Sequence, residues 1–152
     1  MRLNLDIYGE EQLERELLRF SAYAGSPQPA FHKIAEDMRH QIGEQFSSEG
    51  GRGSGGWAAL SEATSHAKAA AGLDPHILQA THTLMHSLTE TGGEHVEEVG
   101  DDFLLFGSKV GYGRYHQKGT SKMPARKPVD FTELDRRGFV RTLQHYVAEG
   151  HL

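Results

Sequence analysis

The sequence predicts an α+β domain, a small antiparallel β-sheet packed with several α-helices and joined by long flexible loops. Three observations carry this expectation. Apolar residues recur every three or four positions in several segments, the period of a helix with one face on a core. One segment alternates on either side of a Gly-Asp-Asp turn, as a hairpin does. Two long stretches, 47–56 and 118–128, are rich in turn-formers and poor in apolar residues. A chain of 152 residues is too short for two separate cores, so one domain is expected over 1–152.

The elements follow in order. Leu3, Leu5 and Ile7 alternate with polar residues and predict a short strand. From Glu10 the period lengthens: Leu13, Leu17 and Phe20 share a face, predicting an amphipathic helix over 10–24 that the GSPQP stretch ends. Ile34, Met38, Ile42 and Phe46 step by four and predict a second helix over 29–48. The segment SSEGGRGSGG, 47–56, lacks the Lys-Ser/Thr ending of a phosphate cradle and predicts a mobile loop, with Trp57 at its end. Residues 61–71 predict a short alanine-rich helix stopped by Gly72, and 75–89 a further helix with Ile77, Thr81 or Leu84, and Leu88 inward. Val96 and Val99, then Phe103 to Phe106, flank Gly100-Asp101-Asp102 as a hairpin, and a strand is possible near Pro128–Phe131. Thr132 and Asp135 have capping-box spacing and open a last helix, with Leu134, Val140, Leu143 and Val147 inward and Gly150 as its stop.

Composition excludes several functions. There is no cysteine, hence no disulfide, thiolate zinc site or cysteine nucleophile. The formal net charge of −5 speaks against a general polyanion binder. No apolar stretch approaches the roughly 20 residues of a membrane span, and the first residues lack a secretory pattern. A soluble protein assembled in the cytoplasm is expected.

The catalytic signals are thin. His82 and His86 have the spacing of a zincin pair, but Thr83 stands where the water-activating glutamate belongs, and no spacing selects a third ligand. Two histidines sharing a helix surface is the plainer reading, with a small zinc-dependent hydrolase using His82 and His86 as the alternative function. Glu97, Glu98, Asp101 and Asp102 sit on a hairpin, where solvated acids are the default. No catalytic residue, cofactor or metal is therefore assigned.

The charge map says more. Residues 90–102 carry six acids and no base, whereas 109–128 carry six bases (Lys109, Arg114, Lys118, Lys122, Arg126 and Lys127) and no acid. If the two segments face opposite ways, copies of the chain attract head to tail, and such contacts close into rings. Two solvated segments is the bland reading of the same charges. Tyr112 and Tyr115 among the bases also suit stacking on nucleic acid, but the net acidity argues against it, and no sequence-specific nucleic-acid partner is expected.

Laid out in this way, the chain resembles the phage virion-morphogenesis proteins, tail-completion components of the head–tail neck. The residues that carry the resemblance are Trp57, Leu60, Ser61 and Thr64, then Ile77, Leu78, Thr81, Leu84 and Ser87. They continue through FGSKVGYGRYHQKG, Phe106 to Gly119, and MPARKP, Met123 to Pro128, before an amphipathic last helix. The chain departs from the family's wording at Gly113, where alanine is usual, and at Lys127, which intervenes before the proline. The resemblance implies a non-enzymatic structural protein of a tailed phage, located at the head–tail junction of the virion. It also implies a ring, expected to be hexameric, touching the portal or head-completion protein on one side and the tail terminator or tail tube protein on the other. The interface residues expected on this reading are Trp57, Lys109, Arg114, Tyr115, His116, Gln117, Lys118, Lys122, Arg126 and Lys127. Among them Trp57, which either anchors the loop's end or meets a partner, is the expected aromatic anchor, and Arg126 is expected to grip a carboxylate of a neighbouring subunit or of the portal-side partner. His116 and Gln117 are expected to hold the backbone of the following loop, with one helical turn at 112–116 closed by Gly119.

Overall fold

The computed structural model describes the backbone of residues 10–53 and 55–152, with side chains from residue 14 onward. The strand expected over Leu3, Leu5 and Ile7 lies outside these residues. Within them, six helices and one two-stranded antiparallel sheet form an α+β fold. The helices are α1 (Glu10–Ala24), α2 (Gln28–Ser47), α3 (Glu62–Ala70), α4 (Thr83–Thr89), α5 (Gly113–Lys118) and α6 (Glu133–Glu149). The strands are β1 (His95–Val99) and β2 (Leu104–Ser108).

The centre of the fold is α2. Its four-residue step puts Ile34, Ile42 and Phe46 inside, and Ile42 and Phe46 join Trp57, Ile77, Leu84 and Leu88 in one cluster. The hairpin pairs Val99 with Leu104 and His95 with Ser108, leaving a four-residue turn at 100–103. It lies against α2 and α4, and Ser87 Oγ meets Ser108 Oγ at 2.7 Å.

Three expectations change. The helix expected from residue 75 begins only at Thr83, because Leu78 and His82 take positive φ, 61° and 57°. Distant side chains occupy the backbone groups that would have extended it. Ile77 N–H donates to Glu49 Oε1 at 2.8 Å, and Lys68 Nζ donates to the His76 carbonyl at 2.6 Å. Helix α6 has the expected capping box at Thr132 and Asp135 and the expected left-handed Gly150, but its buried face holds Asp135 and Tyr146. Leu134 and Val140 are exposed. Helix α1 packs on α6, where the rings of Tyr23 and Tyr146 lie 5.9 Å apart, while Leu17, Leu18 and Phe20 face solvent.

The possible strand at Pro128–Phe131 is extended chain. The Gln117 side chain satisfies both backbone groups of Val129 in place of a ladder, its Nε2 donating to Val129 O at 2.8 Å and its Oε1 accepting from Val129 N at 3.2 Å.

The glycine-rich segment is bonded more closely than its composition suggests. Gly50 N donates to Gln45 O at 2.8 Å and Trp57 N to Glu49 O at 2.7 Å. Arg52 donates to both oxygens of Asp135, at 2.7 and 2.8 Å. The guanidinium pulls the Asp135 carboxyl down to about 2.

Candidate assembly surface

The ten expected interface residues divide into two groups. Trp57 is buried, 9% exposed, with its ring edge against Phe46 at 5.5 Å and its Nε1 donating to Lys127 O at 3.1 Å. It anchors the end of its own loop and is not a free aromatic. Arg126 is 7% exposed, and its Nε and Nη2 donate to the carbonyls of Ala58 and Ala59 at 2.6 and 2.9 Å. The grip expected on a neighbour's carboxylate is thus replaced by a grip on two backbone carbonyls of the same chain. Gln117 clamps Val129, as expected of a residue holding the following loop. His116 contributes to that loop through its backbone, whose carbonyl accepts from Arg126 N at 2.8 Å. Its ring meets Tyr112 edge-on at 5.9 Å, and Nδ1 is buried without a hydrogen-bond partner among the described residues. Burial first, and the Arg126 charge second, hold its pKa below the usual histidine value.

The other six, Lys109, Arg114, Tyr115, Lys118, Lys122 and Lys127, are exposed. Arg114 lies over the Tyr115 ring at 4.7 Å and donates to its hydroxyl at 2.7 Å. Among the described residues, none of these five cations pairs with a carboxylate. Helix α5 spans 113–118, ending two residues beyond the expected turn, and Gly119 closes it with φ 73°. A Cβ there would sit 2.8 Å from Ala125 N, so the loop's return passes directly over this glycine.

Between the 59–68 stretch, the 78–81 stretch, α5 and the 118–128 loop lies an open groove of about 790 Å³. Lys122, Arg126 and His116 line it, with no acid among the described lining residues. Leu60, Ser61, Thr64, Thr81, Tyr112, Met123 and Pro124, all from the stretches that carry the resemblance, line it too.

The acidic segment is elsewhere. Glu97 is withdrawn from solvent by Arg39 and by His95 Nε2 at 3.2 Å, whereas Glu94, Glu98, Asp101 and Asp102 are exposed. At the hairpin tip, Asp101 Oδ1 accepts from Gln28 Nε2 at 2.8 Å, at the first residue of α2. At the far end of the same helix, Gln45 Nε2 donates to Lys127 O at 3.2 Å. Those residues are seventeen positions apart, which at 1.5 Å per residue is roughly 26 Å. Helix α2 therefore acts as a spacer, with the acidic tip at one pole and the basic loop at the other.

The zincin-like pair is not built as its spacing suggested. His82 precedes α4 in a left-handed conformation, with its Nε2 3.1 Å from Asp74, while His86 Nε2 lies 3.7 Å from Glu90. The two rings stack at 5.7 Å. Among the described residues, no three His, Asp or Glu side chains gather in a metal-binding arrangement, and no helix is long and apolar enough to cross a membrane.

A model of the phage virion morphogenesis family matches residues 9–148, nearly the whole length. No curated protein and no solved structure matches the chain.

Proposed function

Because the chain belongs to the phage virion morphogenesis family, we propose that it works as a structural part of the virion at the head–tail junction, with residues 1–152 acting as one unit. Copies join head to tail into a ring, sixfold to match a tail. The ring lies between the portal or head-completion protein and the tail terminator or tail tube protein. The observation that carries this reading is the separation of charge along α2. An exposed acidic tip at one end and, at the other, cations unpaired among the described residues make a contact that differs on its two sides. Contacts of that kind repeat with rotation and close into rings where the rotation is a whole fraction of a turn, as the sixfold match to a tail requires. Net charge alone gives no such direction.

The test is electron microscopy of lysates from a phage lacking this chain. Filled heads and finished tails should accumulate unjoined, and supplying the chain in trans should restore joined particles. Normal joined virions in its absence would refute the placement at the neck.

A further inference from the structure

We infer that the hairpin tip of one copy is the occupant of the groove on the next. This rests on the ring reading above and deepens it by naming both faces of the contact.

The groove is matched to a ligand that is acidic and apolar together. Lys122 and Arg126 give its lining positive charge with no carboxylate among the described lining residues to offset it, while Leu60, Leu78, Met123 and Tyr112 supply apolar surface. Its volume of about 790 Å³ is within the range that takes a small ligand or several side chains.

The tip has the complementary composition. Glu98, Asp101 and Asp102 project around a four-residue turn. Phe103 is 46% exposed, with its ring lying over Gly100. An exposed aromatic on a turn ringed by carboxylates has the composition that suits an apolar groove carrying cations. Within one copy the tip cannot reach that groove, because α2 holds the two apart at its opposite ends. Only a second copy can bring them together, and the same operation then leaves a free tip and a free groove at the two ends. The contact is therefore heterologous and propagates until it closes.

Charge exchange tests it with the intact chain. Lys122→Glu alters the groove and Asp102→Lys alters the tip. Both side chains are exposed and free of ion pairs among the described residues, so each variant should keep the wild-type fold and unfold in one cooperative transition. Native mass should fall from the ring to the 16.8 kDa protomer in each single variant. A variant carrying both substitutions should reassemble, because the charges are reversed on both faces. An equimolar mixture of the two single variants should also gain mass, since each keeps the face that the other lacks. Wild-type mass in both single variants would overturn the tip-in-groove contact and leave the ring reading standing. Two monomeric single variants whose double variant stays monomeric would overturn it as well. A wild-type chain that is monomeric at every concentration would overturn both.

Discussion

Arg126 and Trp57 hold the same loop from two sides. The guanidinium fixes the carbonyls of Ala58 and Ala59, and the indole N–H fixes the carbonyl of Lys127 beside it. Removing Arg126 deletes two charge-assisted hydrogen bonds to the Ala58 and Ala59 carbonyls and opens the 118–128 loop, so Arg126→Ala should lower unfolding free energy by about 2–3 kcal/mol in urea titrations. Lys122→Ala, four residues away and exposed, should change it by less than about 0.5 kcal/mol. A pH titration reads a second residue. Asp135 is 5% exposed and its carboxyl is pulled down to about 2 by Arg52, with Thr132 adding further hydrogen bonds. Its folded pKa lies below the unfolded value of about 4, so its contribution is full above that value. It is lost as pH falls through about 2, and its size is on the order of 2 kcal/mol. Asp135→Asn should flatten that acid limb of the stability curve, as followed by thermal unfolding. The basic run was visible in the sequence because charge needs no partner to be read. The burial of Arg126 and Trp57 was not, because their acceptors come from residues about 70 positions away.

Among the elements, those fixed by local chemistry were legible. The four-residue apolar step of α2, the hairpin turn at Gly100, the capping box at Thr132 and the glycine stops at Gly72 and Gly150 all stand where their spacing placed them. Elements decided by distant contacts were not. Helix α4 loses its first turns to hydrogen bonds from Glu49 and Lys68, and α6 turns its Asp135 side inward because Arg52 of the glycine-rich segment waits there. That segment makes its own prediction. Gly50 has φ 84°, and a Cβ on it would lie 2.4 Å from the Trp57 ring. Relief requires moving an indole that is packed on Phe46 and bonded to Lys127 O. Gly50→Ala should therefore cost roughly 2–3 kcal/mol, whereas Gly55→Ala, with nothing within 4 Å although its φ is also positive at 83°, should cost only the backbone share, about 1 kcal/mol. Denaturant midpoints of the two variants decide between a packed glycine turn and a loose one.

At the scale of the whole molecule, the exposed carboxylates of the hairpin tip and the exposed cations of the 118–128 loop stand toward opposite ends of α2. On the proposed reading copies meet through these exposed charges, and contacts of that kind weaken when salt screens them over a Debye length of about 10 Å at 0.1 M and 3 Å at 1 M. The apolar share contributed by Phe103 is not screened, so association should loosen with salt and not vanish. Both features follow from one claim, that copies meet tip to groove. The most direct measurement of that claim is the mass of the purified chain in solution by light scattering, at low and at high salt. A closed ring is predicted at low salt, roughly 100 kDa for six copies of the 16.8 kDa chain, shifting toward smaller species at high salt. A strict monomer at both salts, or an oligomer whose mass does not respond to salt, would contradict it.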